Sequence, residues 1–334
     1  DGLIRALAPL HRSGVPICVH MRQEGDGVVD ALREMIEVAR ALQTPLEVSH
    51  LKAIGGRNAR KAVPEMLSLI ARAREEGLDV MCDAYPYTAG STQLIHVLPP
   101  EFQAGGTETL TKRLRDRAAR EEMRARMETG SDFENITLLV GFENVIAIGL
   151  RTDEYRRFEG KSIAEIALAL GKDPYDALFD LLAAEKCEAG MIDYISDEED
   201  LKAILRAPFS GVISDATYPG AGQVHPRVYG AFARLIETYV VREKVLTLEQ
   251  AVHKVTLKAA ERFSLAGKGK IEVGADADLL LFAPEKIRER GTYLTPKACA
   301  SGFDEVFVLG ERVIENGEYR GGSSEEMLGL RMEY

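Results

Sequence analysis

The chain of 334 residues is 46% hydrophobic and 28% charged, so it is long enough to bury a substantial core. No apolar run approaches the roughly 18 residues of a membrane span, and the net charge of −11 argues against nucleic acid or an anionic membrane as a partner. No basic, apolar leader opens the sequence, and its four scattered cysteines lack CxxC spacing. We therefore expect a cytoplasmic protein that acts on a small molecule.

The first strand follows a predicted amphipathic helix over residues 1–12. The apolar run of this strand, GVPICV over residues 14–19, is typical of a buried parallel strand, and His20 follows directly. A helix is predicted over residues 28–42. The pattern then returns in Pro45–Lys52 (PLEVSHLK), where His50 stands at the tip of the second strand. This spacing of about 30 residues is the length of one strand plus one helix in a βαβ unit.

Two histidines at matching strand ends predict a shared site. Parallel strands present their carboxyl ends at one edge of a sheet, so His20 and His50 should point into the same crevice. A single histidine at a strand end is more often structural. As a pair, however, they suggest a metal centre, because neutral imidazole is a common zinc ligand and catalytic zinc takes three protein ligands. We therefore predict that both bind a metal ion and that one or two further ligands come from elsewhere.

The next segments continue the α/β pattern and then interrupt it. A helix over residues 62–76 and a strand over 79–83 complete three strand–helix units in about 90 residues, which indicates a parallel α/β architecture. From about residue 94 to 143 the pattern breaks. The charged run over 111–129 predicts a solvated helical face of an inserted subdomain, since its acidic residues nearly balance its basic ones. Further elements are predicted at 144–149 (strand) and at 162–170, 174–184 and 198–206 (helices).

The last barrel-like strand, in residues 211–218, delivers Asp215 near its tip. Such an acid either caps a helix or acts in catalysis; we favour catalysis because it follows two strand-end histidines in the same register. A loop over 220–230 and a helix over 248–265 come next. Short strands between Gly and Asn-Gly turns then predict a small β-sandwich at 266–334, distinct from a barrel part at 1–265. We expect this sandwich to be incomplete without strands that precede the chain.

Several motifs resemble a known family. The segment KGKIEVGADADLLLF is similar to the C-terminal signature of the amidohydrolase superfamily, and HMRQEG, SHLK, DAYPYTAGST and SDA…HPRVYGAF resemble, in order, motifs of the N-acyl-D-amino-acid deacylase (D-aminoacylase) family. The resemblance implies an α/β fold, the later strands of a (β/α)8 TIM-type barrel plus a β-sandwich. It also implies zinc-dependent cleavage of the amide of N-acyl-D-amino acids to a D-amino acid and a carboxylate.

The resemblance also implies residue roles. His20 and His50 would bind one or two Zn²⁺ ions, and Asp215 would be the general base and acid. The substrate's carboxylate or scissile carbonyl region would be held by Lys52, Tyr85, Ser91 and Arg227. The family's remaining ligands have no match here and would precede Asp1. Ala216 stands where the family usually has Gly, so the substrate profile of this chain could differ.

Two other functions stay open at this point. A cyclic-amide hydrolase, such as a dihydroorotase or hydantoinase, would use the same histidine pair and acid. A barrel that has lost catalysis could instead serve as a binding scaffold, although the joint presence of His20, His50 and Asp215 in one register speaks against it.

Overall fold

The structure is a computed structural model that describes residues 2–217 and 222–320. It separates into two compact units, Asp1–Val228 with Thr292–Lys297, and Tyr229–Gly291 with Ala298–Tyr334. The predicted boundary at residue 265 stays a prediction. The start of the predicted loop 220–230 and the end of the predicted domain 266–334 lie outside the described residues. Within the described ranges, no helix is long and apolar enough to cross a membrane.

The first unit contains two kinds of sheet. Its strands are β1 (Ile17–Val19), β2 (Leu46–Val48), β3 (Val80–Ala84), β4 (Ala89–Gln93), β5 (Val145–Ile148), β6 (Gly190–Tyr194) and β7 (Ser210–Val212). Its helices are α1 (Gly2–Ala6), α2 (Val28–Leu42), α3 (Ala62–Glu75), α4 (Pro100–Gln103), α5 (Gly106–Arg113), α6 (Arg117–Thr129), α7 (Ile136–Val140), α8 (Ile163–Leu170), α9 (Pro174–Ala184) and α10 (Glu198–Arg206). Strands β1, β2, β3 and β7 pair in parallel in that order, with Ile17 opposite Leu46 and Leu46 opposite Val80.

Burial explains why this parallel sheet forms. All three residues of β2 are buried, and so are Val80 and Cys82 of β3. Helix α2 buries one apolar face that includes Leu32, Ile36 and Ala39, as an amphipathic helix beside a sheet should. Most positions of these strands are apolar, Glu47 of β2 and Asp83 of β3 being buried exceptions, and the polar residues that follow the strands collect at the carboxyl edge.

The second sheet is antiparallel, in the order β4-β6-β5. The sequence predicted β5 but neither β6, with which β5 pairs, nor β4, whose Ala-Gly-Ser-Thr-Gln contains no apolar run. The predicted helix over 111–129 is divided. The Asp116 side chain accepts a hydrogen bond of 2.9 Å from the Ala119 amide and so begins α6 as a new helix.

The second unit holds an antiparallel sheet. Its strands are β8 (Leu279–Phe282), β9 (Phe303–Val308), β10 (Glu311–Glu315) and β11 (Glu318–Tyr319), in the order β11-β10-β9-β8. Its helical segments are α11 (Arg227–Arg234, which begins in the first unit), a π-helical turn (Leu235–Arg242), α12 (Leu248–Val255) and α13 (Leu257–Arg262). The single helix predicted over 248–265 is broken at Thr256, whose φ of −126° and ψ of −96° are not helical.

Candidate metal centre and active site

The two strand-end histidines meet. His20 follows β1 and His50 lies just beyond β2, and Nδ1 of His20 is 3.0 Å from Nε2 of His50. Their rings approach edge to face with centroids 4.8 Å apart. His20 is exposed and His50 is half-buried. The structure therefore gathers both predicted ligands at one solvent-accessible point of the carboxyl edge.

A buried acid fixes the backbone of His50. That residue has a φ of +40°, a left-handed conformation that is uncommon outside glycine. Its amide donates a hydrogen bond of 2.5 Å to Oδ1 of Asp83, which is buried at the end of β3. Burial raises the pKa of the Asp83 carboxyl. The sequence did not assign this role to Asp83, because nothing in the motif indicates which backbone group a strand-end acid will bind.

A buried ion pair lies behind the histidines. Nζ of Lys52 is 2.7 Å from Oε1 of Glu24, and the same oxygen is 3.0 Å from Nδ1 of His50. Only 4% of the Glu24 side chain and 11% of the Lys52 side chain are exposed. Burial alone would raise the pKa of Glu24, but Lys52 and His50 outweigh burial and lower that pKa to about 2. Glu24 is therefore an anion that faces both Lys52 and His50, a role the sequence did not identify although it lies in the HMRQEG motif.

The donor set fits a zinc-like ion. The candidate ligand atoms of His20, Glu24 and His50 all lie within 4.8 Å of one another. Partial desolvation of the ring, together with the nearby His50 and Lys52, lowers the pKa of His20 and favours a neutral imidazole that can donate a lone pair. Two nitrogens that bind one tetrahedral zinc at 2.0–2.1 Å are about 3.3 Å apart. The 3.0 Å between the imidazole nitrogens is close to this separation.

Asp215 and Arg227 form a second ion pair in the same unit. Asp215 lies three residues past β7 with a φ of +49°, and its Oδ2 is 2.8 Å from an Nη of Arg227. The Arg227 side chain is only 2% exposed. Its other Nη donates a hydrogen bond of 3.0 Å to the Ser91 carbonyl, and its guanidinium carbon lies 4.7 Å from the centre of the Tyr85 ring. These contacts fix the guanidinium between the predicted acid and two predicted substrate residues.

A cavity of about 740 Å³ joins the two pairs. It is lined by every residue assigned from the sequence, namely His20, His50, Lys52, Tyr85, Ser91, Asp215 and Arg227. Ser91 Oγ donates a hydrogen bond of 2.8 Å to the Met191 carbonyl, so this hydroxyl is held by the neighbouring strand. The cavity also contains Glu134 and Asp193, which the sequence did not single out. Burial, together with the charge of Glu24, raises the pKa of Glu134 to about 8.

Comparison with known proteins identifies the family. Residues 5–294 match the model of the amidohydrolase family, and the chain therefore belongs to that family. A D-aminoacylase from Alcaligenes xylosoxydans xylosoxydans is 30% identical over 324 residues, which are 96% of this chain and 56% of the relative.

Solved structures give the same picture. A crystal structure of D-aminoacylase has a TM-score of 0.74 at 30% identity and covers 96% of this chain and 57% of its own. An N-acyl-D-glutamate deacylase from Bordetella bronchiseptica, complexed with zinc and a phosphonate inhibitor, has a TM-score of 0.73 at 28% identity. The match covers 95% of this chain and 58% of the deacylase chain. The chain thus spans somewhat more than half the length of these relatives. The similarities confirm the predicted resemblance and the fold class, a partial TIM-type hydrolase barrel, open within the described residues, plus a small β-sandwich domain.

Proposed function

We propose that the protein is a metal-dependent hydrolase that cleaves the amide bond of N-acyl-D-amino acids and releases a D-amino acid and a carboxylate. The observation that carries this proposal is the meeting of the His20–His50 pair and Asp215 in one cavity. The deacylases to which the chain is similar support the choice of substrate class. The scattered cysteines support a cytoplasmic location.

We assign the metal to Nδ1 of His20 and Nε2 of His50. Nδ1 of His50 faces Nζ of Lys52 at 2.9 Å and Oε1 of Glu24 at 3.0 Å, so we assign the opposite ring nitrogen, Nε2, to the metal ion. Lys52 balances the negative charge of Glu24 and so keeps it in place. One or two Zn²⁺ ions bound here would lower the pKa of water and polarise the scissile carbonyl.

Asp215 moves the proton. Arg227 binds Oδ2 of Asp215 and orients the carboxylate, so we assign proton transfer to Oδ1. This oxygen takes a proton from the attacking water and later delivers it to the nitrogen of the departing amino acid. Positioned general acid–base catalysis of this kind contributes roughly 10²- to 10⁴-fold to a rate.

The substrate's α-carboxylate belongs at the cationic end of the cavity. Arg227 and Lys52 supply positive charge there, and Tyr85 lies against both cations. The guanidinium carbon of Arg227 is 4.7 Å from the centre of the Tyr85 ring, and Nζ of Lys52 is 6.0 Å from it. A guanidinium suits a carboxylate because it presents parallel N–H donors. The Ser91 segment supports Arg227 through its carbonyl and completes this end of the pocket.

The test is hydrolysis of a substrate panel by the zinc-loaded natural protein that carries this sequence. The panel contains N-acetyl-D-amino acids, their L-enantiomers, their methyl esters and a cyclic imide. We expect the D-acids to be preferred. Preference for the cyclic imide would indicate a hydantoinase-like enzyme, and a fully metal-loaded protein that hydrolyses none of these compounds would contradict the proposal.

A further inference from the structure

Asp193 is a buried carboxylate that the proposed reaction does not use. It lies on β6, opposite Gly90 of β4 and Val145 of β5, in the middle strand of the antiparallel sheet. Only 3% of the residue is exposed, yet it lines the same cavity as the histidines and Asp215. A carboxylate at the centre of a sheet is expensive to bury unless something binds it.

One oxygen of this carboxylate has no partner. Within the described residues, Oδ1 of Asp193 is buried and forms no hydrogen bond. Buried polar atoms in native proteins are nearly always hydrogen-bonded, and an exception at a cavity wall points to a ligand group that supplies the missing donor. The carboxylate accepts and cannot donate when it is ionised, so this group must carry an N–H or an O–H.

The two cations whose charges act on Asp193 are already paired. Lys52 is bound to Glu24 and Arg227 is bound to Asp215. Both cations are also assigned to the substrate's α-carboxylate, and the structure shows no ion pair for Asp193 within the described ranges. This wall of the cavity therefore has an excess negative charge, which favours a cation or a strong hydrogen-bond donor and repels a second carboxylate.

Gly90 lies directly beside the unpartnered oxygen of Asp193. A Cβ at position 90 would lie 2.8 Å from Oδ1 of Asp193, 2.8 Å from Cδ1 of Ile195 and 3.5 Å from the Tyr85 hydroxyl, so a side chain there would crowd this oxygen. The unpartnered oxygen is therefore near the end of the pocket to which we assigned the substrate's amino acid part. No side chain of residue 90 covers it.

We propose that Asp193 selects the side chain of the N-acyl-D-amino acid, favouring side chains with an N–H donor or a positive charge and rejecting acidic ones. This inference rests on the proposed function. The other parts of the substrate fit Asp193 poorly, since the α-carboxylate would be repelled and the scissile carbonyl is itself an acceptor. The departing nitrogen receives its proton from Asp215. The side chain is therefore the part of the substrate that remains to face Asp193.

The experiment compares N-acetyl-D-glutamine with N-acetyl-D-glutamate. The two compounds have nearly the same size, but the first ends in an amide with N–H donors and the second in a negatively charged carboxylate. N-acetyl-D-lysine is added as a substrate with a positive charge. The zinc-loaded natural protein should hydrolyse the glutamine and lysine compounds with kcat/KM at least about tenfold above the glutamate compound. Asp193→Asn should reduce this ratio to near one. Gly90→Ala, whose new methyl group would crowd Oδ1, should lower the ratio in the same direction and serves if Asp193→Asn does not fold.

Asp200→Asn is the matched control. Asp200 is also a buried carboxylate of the first unit, but it binds the Arg60 amide and does not line this cavity, so the substrate ratio should not change. Hydrolysis of glutamate and glutamine compounds at equal rates by the unsubstituted protein, or an equal loss on both in Asp193→Asn, would overturn the inference while leaving the proposed function intact. Failure to hydrolyse any N-acyl-D-amino acid would overturn the proposed function and this inference with it.

Discussion

Nδ1 of His20 lies 3.0 Å from Nε2 of His50, although 30 residues separate them in the chain. The contact follows from the parallel register of β1 and β2, which pairs Val19 with Val48 and brings the residues after them to one edge. Asp83, at the end of the next strand, holds His50 from the other side. Successive strand ends thus assemble the candidate metal centre.

Removing either histidine should lower bound metal and activity together. In the natural protein, His20→Ala or His50→Ala deletes one of few available ligands, so zinc content and kcat should both fall. Metal analysis and rates on the same samples test this. His253→Ala, at an exposed position in the second unit, should leave the zinc content unchanged. Full zinc content in both histidine variants would rule out the assigned ligands.

The Lys52–Glu24 pair should be important for stability. Lys52→Met leaves Glu24 buried without its cation, and breaking such a pair typically costs about 3–5 kcal/mol of unfolding free energy. Urea unfolding measures the change. Lys172→Met is the matched control, because its pair with Asp180 is more exposed and should contribute about 1 kcal/mol or less. Similar losses in the two variants would contradict the importance of the buried pair.

Asp193 should reduce stability as the pH rises. Burial raises the pKa of its carboxyl from 3.8 to about 6, so the unfolded chain loses this proton at lower pH than the folded protein does. The folded state therefore loses stability, by about 3 kcal/mol, as the pH increases from about 4 to about 6. The free energy of unfolding of Asp193→Asn minus that of the unsubstituted protein should be larger at pH 7 than at pH 4. A stability difference that stays constant between these pH values would refute this expectation.

Arg227 should affect acid substrates more than their esters. Arg227→Met removes the partner of Asp215, so kcat/KM should fall for both an N-acetyl-D-amino acid and its methyl ester. The acid should lose a further factor of about 10 or more, because a hydrogen bond to a charged group contributes about 1.5–3 kcal/mol. Parallel assays of acid and ester measure the difference. Equal losses of kcat/KM on the acid and the ester would show that Arg227 positions Asp215 and does not bind the substrate's carboxylate.

The sequence was informative where structure is local. Apolar periodicity located the helices at 28–42 and 198–206, which match α2 and α10, and the strand–helix repeat brought His20 and His50 to one edge. It was uninformative where partners are distant. Asp193 lies opposite Gly90, more than 100 residues earlier, and β4 has no apolar pattern that could reveal the pairing. The orientation of Glu24 toward His50 likewise depends on packing between two units of the repeat.

The most direct test of the account is the turnover of an N-acetyl-D-amino acid by the natural protein and by Asp215→Asn, with zinc determined on the same samples. An amide at position 215 cannot take the proton from water, whereas the histidine ligands are untouched. We predict full zinc content and a kcat lower by roughly 10²- to 10⁴-fold in Asp215→Asn. Undiminished turnover in this variant, or loss of zinc with activity restored by added zinc, would show that Asp215 is not the base.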